Sequence, residues 1–467
     1  MQRRRMAGLA LGVGLLLGLG ACSKNDETRV ETSTGPSASG LAIWAHALGA
    51  DGRQAGWHIG ASKTGELVLV GTMEGSVNFG DAGTLKAATK SDIFVAWLGQ
   101  DGKIKRARRF GDSGRHVPVG MVVDAQGGVV ISGLADGNLD FGGGPLADLG
   151  GGDAFVAALG PNGEFRYALR VGDAMMQNGG EIALAEDGSV YWSGSFDGSI
   201  NIGGHTLTSA GNSDVFVARI DKTGKVLWAK SLGGPGTESD GSLVIDTKGQ
   251  VVLSGYYEGA PDLGKGALPD TGQADGEMVV ALDTSGKVLW AKGAPNKTGF
   301  FGFAMQAGES ATYLVGSVAG SIDFLGSNLT AQGSTGEGLG VVQIDSAGKV
   351  LRADVYPVER LGQVYTAPLK GGGLVLSGHF QGSIDLGGKK LTSEGEEDLF
   401  VAWMNTQGRI ERAERLGGKE HERIGDMAIT PDGHIALTGM FEGTMNLGSG
   451  DLTSAKGPDA FVALLRK

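Results

Sequence analysis

The chain has 467 residues, with 86 glycines, only 12 prolines and a formal net charge of -12 at pH 7. Its apolar share of 41% and the lack of a Gly-x-y period exclude a collagen-like or a disordered chain. An acidic surface repels phosphate backbones, so we expect no nucleic-acid partner.

The first predicted element is an export signal. Three arginines at positions 3–5 precede an apolar run at 7–19 that is too short to span a bilayer. The sequence LGAC at 19–22 follows, and it resembles a bacterial lipobox. The resemblance implies that residues 1–21 are a cleaved signal peptide and that Cys22 carries the lipid that anchors the protein to a membrane. Cys22 is the only cysteine, which excludes intramolecular disulfides.

The next segment, completing residues 22–40, is polar and has no apolar periodicity. We therefore predict a flexible tether between the lipidated cysteine and the body. Residue Ser23 stands where some bacteria place an aspartate that retains lipoproteins in the inner membrane. Its identity favours an exported protein that is lipid-anchored in the outer membrane and faces the periplasm or the cell surface.

One sequence pattern then recurs through the rest of the chain. It consists of a leading glycine, three residues, a second glycine and a short apolar stretch that contains an Asp or Asn. The spacing between leading glycines is always 61 or 62 residues, so the pattern predicts one repeating structural unit. The leading glycines are Gly71, Gly133, Gly194, Gly255, Gly316, Gly378 and Gly439.

Each repeat contains four short runs of β-branched and aromatic residues separated by Gly, Asp and Asn turns. In one repeat these runs lie at 181–185, 190–193, 214–220 and 225–230. This spacing predicts a four-stranded antiparallel meander with strands a, b, c and d. Strands b and c are apolar throughout, which predicts burial on both faces. Strand d carries charges on both faces and is expected at the outer rim, where charge prevents unwanted pairing.

The ends of the chain suggest how the repeats are joined. The first strand, within 41–48, has the phase of a lone d strand, and the last run, 461–465, has the phase of a c strand. We expect the first strand to complete the last sheet, because an open array would leave two apolar sheet faces in water. The fold class predicted for residues 41–467 is therefore all-β, a seven-bladed β-propeller with four antiparallel strands per blade and a monomeric body.

The repeat motifs also carry a family resemblance. Two of them are the turn at 221–228 and an Asp-x-Phe-Val-Ala motif, which starts at Asp92, Asp153, Asp214, Asp398 and Asp459. The chain resembles bacterial surface proteins with seven-bladed β-propeller repeats, of the kind found in myxobacterial lipoproteins. This resemblance implies the fold but no single activity. The turns at 221–228 and 283–290 are more faintly similar to quinoprotein-type propeller repeats, which leaves a quinone-dependent dehydrogenase as a third and weakest option.

A recurring Asp or Asn follows each leading glycine. Such a series is compatible with cation ligands or with turn residues that bond the local backbone. Free exchange of Asp for Asn favours the turn, because a calcium site depends on negative charge. We therefore predict no metal and no cofactor. The series is Asn78, Asp140, Asn201, Asp262, Asp323, Asp385 and Asn446.

The candidate ligand face consists of the loops that connect strand d of one repeat to strand a of the next, where a propeller opens onto its central channel. Four basic residues occupy one repeat phase there and are compatible with a partial cationic ring or with ordinary solvated loop charge. These are Arg53, Arg115, Arg360 and His421. The other candidates on this face are Trp57, His58, His116, Glu181, Asp240, Tyr365 and Asp426.

No catalytic triad, metal-ligand motif or phosphate-binding loop is recognisable in the sequence. The leading hypothesis is a non-enzymatic binding or scaffold module for an envelope protein or glycan. The alternative is an envelope polysaccharide hydrolase or lyase whose site lies in the same loops. Partner, substrate and leaflet are left open by the sequence.

Overall fold

The computed structural model describes residues 32–33, 40–88, 91–112, 114–295, 299–333 and 335–467, with backbone alone at 32–33 and 300–303. The predicted signal peptide 1–21, Cys22 and most of the predicted tether lie outside the described residues. Within the described part of the chain, no helix is long and apolar enough to cross a membrane.

The protein is all-β, as predicted, and its strands form successive antiparallel groups of four that we number as units in chain order. Unit 1 comprises Gln54–Ala61, Leu67–Met73, Asp92–Leu98 and Ile104–Phe110. Unit 2 comprises His116–Val123, Val129–Ala135, Asp153–Leu159 and Phe165–Val171. Unit 3 comprises Gln177–Leu184, Val190–Phe196, Asp214–Ile220 and Val226–Leu232. Unit 4 comprises Glu238–Ile245, Val251–Glu258, Asp275–Leu282 and Val288–Pro295.

The remaining units depart from this pattern in how their strands are shared. Unit 5 comprises Phe300–Ala307, Thr312–Ala319, Glu337–Ile344 and the first half of Val350–Pro368. The second half of that long strand opens unit 6, which continues with Leu374–Asp385, Asp398–Met404 and Ile410–Gly418. Unit 7 comprises Glu422–Ile429, Ile435–Phe441, Asp459–Leu465 and, from the start of the chain, Ala42–Leu48. The first strand thus pairs with the last, as the repeat phase predicts.

Shorter elements decorate the units. Two-stranded ribbons connect the second and third strands in several units, and a 3-10 turn spans Gly80–Ala82. The short strands are Thr32–Ser33, Ala50–Asp51, Ser76–Asn78, Thr84–Lys86, Ser199–Ile202, His205–Thr208, Ser321–Phe324, Ser327–Thr330, Lys390–Thr392, Thr444–Asn446 and Asp451–Thr453.

Hydrophobic cores form between successive units rather than inside any one of them. The third strands Asp92–Leu98 and Asp398–Met404 are buried along their whole length, as their continuous apolarity predicts. One cluster joins unit 7 to unit 1, since Leu464 packs in the same core as Leu69. The first strand of each unit contacts the first strand of the next, and Glu422–Ile429 of unit 7 contacts Gln54–Ala61 of unit 1.

The leading glycine of each repeat has a packing role. A Cβ added at Gly71 would collide with the backbone oxygen of Ala55 and the ring of Phe94. The same collision would occur at Gly194, with the backbone oxygen of Asn178 and the ring of Phe216. At Gly255, where methionine replaces the phenylalanine, the backbone oxygen of Ser239 would still collide with an added Cβ. The glycine therefore recurs because the backbone of the first strand lies against it, and in the units with the Asp-x-Phe-Val-Ala motif the phenylalanine ring packs on it as well.

The aspartate of that motif is a buried loop-closing residue. Asp92, for example, is fully buried and accepts a hydrogen bond at 2.7 Å from the backbone N–H of Ala88, four residues earlier. Arg109 from the fourth strand pairs with the same carboxylate at 2.5 Å. The same backbone bond is made by Asp153, Asp214, Asp398 and Asp459.

The recurring Asp or Asn series is confirmed as a set of turn residues. In every member the side-chain oxygen accepts a backbone N–H two or three residues later, as at Asn201, which bonds Gly204 at 2.9 Å. The other acceptors are Asn78, Asp140, Asp262, Asp323, Asp385 and Asn446. Asn and Asp exchange freely here because the bond needs an oxygen and not a charge.

Candidate functional site

A β-bulge interrupts the first strand of every unit at nearly the same point. In unit 1 the pairing shifts between Gly56 and His58, and in unit 7 it shifts between Ile424 and Asp426. Equivalent shifts occur in the first strands of the other five units. A bulge re-aims the side chains beside it and bends the strand. A Cβ on Gly425 would collide with the backbone oxygen of Gly56, so the first strands of units 7 and 1 approach each other closely at their bulges.

One residue per unit lies at this bulge in the same repeat phase, and we call this set the inner series. Register places Tyr365 opposite Ser377 and Asp426 opposite Thr438, each partner being the residue before a leading glycine. Of the residues predicted for the ligand face, four belong to this single phase. The inner series is His58, Gly120, Glu181, Ser242, Ala304, Tyr365 and Asp426.

The inner series links units that are far apart in sequence. Asp426 Oδ2 accepts a hydrogen bond from the backbone N–H of Ile59 at 3.1 Å and lies 3.8 Å from His58 Nδ1. In unit 4, Asp240 Oδ2 accepts a hydrogen bond from Ser193 Oγ of unit 3 at 2.9 Å. The His58 and Asp426 side chains are 15% and 24% exposed, so the pair lies deep in the protein yet remains accessible to water.

Burial controls the protonation of this cluster. The pKa of Glu181 is raised to about 7, mainly by burial; the charge of His58 opposes this rise, and the carboxylates of Asp426 and Asp240 add to it. Burial also raises the pKa of Asp240 to about 6, although its hydrogen bonds to Ser193 and to the backbone oppose the shift. Glu181 therefore retains a proton on a large fraction of molecules at neutral pH.

His58 and Tyr365 respond to the same carboxylates. Burial by itself lowers the pKa of His58, but the hydrogen bond and charge of Asp426, with the charge of Glu181, raise it above its ordinary value. Burial raises the pKa of Tyr365, and the charges of Asp426 and Glu181 add to the rise. Side chains from units 1, 3, 6 and 7 thus lie close enough to interact electrostatically.

These residues are not in the loops where they were expected. Trp57, His58, Glu181 and Asp240 lie within first strands, and so do Tyr365 and Asp426. The turn-like sequences around them are bulges, which place glycines and polar residues inside a strand. Trp57 is half-buried and donates from Nε1 to Thr72 Oγ1 at 2.8 Å.

His116 was predicted to lie on the ligand face, but it lies in the interior of the protein. His116 opens the first strand of unit 2 and is fully buried, close to the Asp92 carboxylate. Burial lowers its pKa, so the ring is neutral at pH 7. A residue in this setting contributes to the junction between units 1 and 2 and not to a ligand-accessible surface.

The four basic residues that share one repeat phase have different surroundings in the structure. Arg53, Arg115 and Arg360 are exposed, just before or at the start of first strands, and form no ion pair within the described residues. His421 lies between carboxylates, with Nε2 at 2.9 Å from Glu396 and Nδ1 at 3.4 Å from Glu397. The cationic set is therefore three arginines, because the His421 ring is enclosed by the carboxylates of Glu396 and Glu397.

Sequence reasoning missed a second polar set at the junctions between units. Glu422 opens the first strand of unit 7, is fully buried and approaches Asp398 of unit 6 beside Gly417. Burial raises the pKa of Glu422 to about 8, with the Asp398 carboxylate adding to the rise. Glu238 is held in the same way next to Asp214, and burial raises its pKa to about 7. Asp398 and Asp214 occupy the same position in their repeats, and this shared position was the feature of the sequence from which the buried carboxyl pairs could have been predicted.

No arrangement of three or more His, Cys, Asp or Glu side chains suited to a metal ion exists among the residues that the structure describes. The polar side chains of the inner series form a hydrogen-bonding cluster in which the pKa of Glu181 is raised. The cluster offers carboxyl, carboxylate, imidazole and phenol groups to a ligand.

Comparison with known proteins gives no family. No known protein family and no curated protein matches the sequence. Solved structures similar to this chain include a protein of unknown function from Dyadobacter fermentans, at 10% identity and a TM-score of 0.44, which covers 91% of this chain and 98% of its own.

Two further similar structures are of named proteins. The Pan2 WD40 domain of Neurospora crassa is 10% identical with a TM-score of 0.43, covering 89% of each chain. The parainfluenza virus 5 hemagglutinin-neuraminidase, in complex with DANA, is 9% identical with a TM-score of 0.39, covering 94% of each chain. Similarity at this level assigns neither a family nor an activity to the chain.

Proposed function

We propose that residues 41–467 form a closed seven-bladed β-propeller in which each unit is one blade. Pairing of Ala42–Leu48 with Asp459–Leu465 and the core shared by units 7 and 1 support this architecture. Deletion of 41–48 removes the outer strand of unit 7 and part of that core, so it should lower the melting temperature of the whole body in a single transition. An unchanged melting temperature would contradict closure.

We further propose that the protein is a membrane-anchored binding module of the bacterial envelope. The observation that carries this proposal is the inner series, in which a repeated scaffold presents different chemistry from nearly every unit. Glu181, Tyr365 and Asp426 differ in type although their positions are equivalent. A site that varies around a symmetric scaffold suits one asymmetric ligand, such as a glycan or a protein segment, entering the central channel.

The chemistry of the cluster favours a ligand with hydroxyl or amide groups. Glu181 donates when it carries its proton, Tyr365 donates through its phenol, and Asp426 accepts. A ligand that both donates and accepts at several points satisfies these groups without a large net charge. Glycans and peptide backbones have this character.

Binding of purified envelope glycans and capture of partners from intact envelopes test this site. Glu181→Gln and Asp426→Asn should each reduce binding at least tenfold. Asp323→Asn, at a surface turn, is the matched control and should leave binding unchanged. Equal binding by all three variants would refute a site in the channel.

The membrane anchor is a separate part of the proposal and rests on the lipobox-like LGAC at 19–22 and on the resemblance to myxobacterial-type lipoproteins. Cys22→Ser should release the protein from membranes and abolish labelling by radioactive fatty acid. Continued acyl labelling of this variant would refute the lipid attachment.

A second candidate function is a polysaccharide hydrolase or lyase. The observation that favours it is the pKa of about 7 for Glu181, next to the lower pKa of Asp240. General acid–base catalysis is most effective when the pKa lies near the working pH. Turnover of an envelope polysaccharide that is lost in Glu181→Gln, with a pH profile centred near 7, would establish the enzyme and overturn the binding-only proposal.

A further inference from the structure

The rim strand of unit 7 differs from the rim strands of the other units. Ala42–Leu48 reads AIWAHAL and contains no Lys, Arg, Asp or Glu. The rim strand Ile104–Phe110 of unit 1 reads IKRARRF, and every other rim strand carries at least one Lys or Arg. Charged residues on an edge strand keep it from pairing with other chains. Unit 7 lacks this protection within its own rim strand.

The outer edge of this strand is covered at one place by the chain itself. Thr32–Ser33 forms a short antiparallel strand beside it, with Thr32 opposite His46 and Ser33 opposite Ala45. Rim strands of units 1 to 4 have no further strand on their outer edge among the described residues. The extra pairing therefore occurs at the one rim strand without charge.

The sequence leading into Thr32–Ser33 contains several β-branched residues. Thr28, Val30 and Thr32 are β-branched and alternate with Arg29, Glu31 and Ser33. β-branched residues favour an extended strand, so the composition of this segment is compatible with strand pairing although it has no apolar periodicity. The segment was predicted to be part of a flexible tether, and its pairing with His46 and Ala45 departs from that expectation.

We propose that the outer edge of Ala42–Leu48 is a docking site for the N-terminal segment of the same chain, the segment that contains Thr32 and Ser33. Main-chain hydrogen bonds supply the recognition, as in β-strand addition generally. The docked segment replaces the missing charges as the protection of this edge against a second molecule. This inference goes beyond the proposed ligand binding and is independent of it.

Docking of this segment also shortens the distance that can separate the body from a membrane anchor at Cys22. If Cys22 is lipidated, as proposed above, ten residues separate it from Thr32, whereas eighteen separate it from Gly40. At about 3.5 Å per extended residue, the largest distance between the lipidated Cys22 and the first fixed residue of the body falls from about 60 Å to about 35 Å. The body would then lie close to the membrane with the edge of unit 7 nearest the anchor.

A disulfide test locates the segment. In a full chain carrying Cys22→Ser, the pair Ser33→Cys and Ala45→Cys places two cysteines directly opposite each other, where Cα separations in antiparallel pairs suit a disulfide. Mild oxidation should link more than half of the molecules internally. The matched pair Ser33→Cys and Ala47→Cys is about 7 Å out of register and should link at least fivefold less. Equal yields from the two pairs would overturn the proposal.

The same oxidation experiment shows whether the segment docked on this edge comes from the same chain or from a second copy of the protein. If the Ser33→Cys and Ala45→Cys pair links two molecules instead of one, the edge is occupied by a neighbouring chain, and docking of the chain's own segment is refuted. A second measurement uses deletion of 28–33 in the same Cys22→Ser background. The exposed edge should then drive concentration-dependent dimerisation, and Ile43→Lys added to the deletion should restore the monomer. A monomer after deletion alone would show that the segment does not protect this edge.

Discussion

The carboxylate of Asp426 accepts a hydrogen bond from the backbone N–H of Ile59, a residue 367 positions earlier in the chain. The bond joins the first strand of unit 7 to the first strand of unit 1 at the bulges where the two strands come close together. The same carboxylate lies 3.8 Å from His58 Nδ1. Asp426 therefore belongs both to the joint between these units and to the candidate site.

Asp426→Ala should lower the free energy of unfolding by about 1–3 kcal/mol, because it leaves the N–H of Ile59 without its acceptor. Asp426→Asn retains an oxygen at this position and should cost less. Both variants should lower the pKa of His58, since the hydrogen bond and charge of Asp426 raise it. NMR titration of the His58 ring and chemical denaturation measure the two effects. An unchanged His58 pKa would disprove the coupling.

The contribution of buried carboxyl groups to stability should fall as the pH rises from about 5 to 8. Burial raises the pKa of Glu238 to about 7 and of Asp459 to about 6, and burial with the Asp398 charge raises that of Glu422 to about 8. Such groups bind more protons in the folded than in the unfolded chain between about pH 4.5 and 8, so their contribution is complete at low pH and is lost through this window.

The melting temperature measured from pH 5 to 9 tests this dependence. Glu422→Gln removes the titrating group but keeps a side chain of similar size, so its melting temperature should depend less on pH above 6. Asp323→Asn, at an exposed turn, should follow the unaltered protein. A melting temperature of Glu422→Gln that depends on pH as steeply as that of the unaltered protein would contradict the role of this buried carboxyl group.

Glu277→Leu should stabilise the protein. Glu277 is 1% exposed, neither carboxylate oxygen has a hydrogen-bond partner among the described residues, and burial raises its pKa well above the ordinary value. The equivalent positions in units 1 and 3 are the apolar Ile93 and Val215. Removing an unsatisfied buried carboxyl group should gain about 1–3 kcal/mol at pH 7 in denaturation experiments. A loss of stability would indicate a polar partner for Glu277.

Gly71→Ala should destabilise unit 1. The added methyl group collides with the backbone oxygen of Ala55 and the Phe94 ring, and relieving such overlap in a packed core costs about 1–3 kcal/mol. Gly241→Ala is the comparison, because its nearest neighbouring atom lies 3.3 Å from the added Cβ. Thermal denaturation should show the larger loss at Gly71. Equal losses would mean that the leading glycine is not required by packing.

Local features of this protein were predictable from sequence because their causes are local. The turn role of Asn201 follows from a side chain that bonds a backbone N–H three residues away. The rim position of Ile104–Phe110 and the burial of Asp92–Leu98 follow from charge and apolarity within seven residues. The pairing of Ala42–Leu48 with Asp459–Leu465 was predictable from repeat phase alone. The last repeat lacks its fourth strand, and the chain begins with an additional strand that has the phase of a fourth strand.

The sequence by itself therefore determined the strand order, the turn residues and the repeated all-β plan, because each is encoded within one repeat or by the period between repeats. Only the tertiary structure decided that His58, Glu181, Tyr365 and Asp426 lie close enough to interact electrostatically, and that Glu422 meets Asp398 in the interior. The physical reason is that bulges placed the first four inside strands rather than loops, and that charges from separate units interact only after those strands converge.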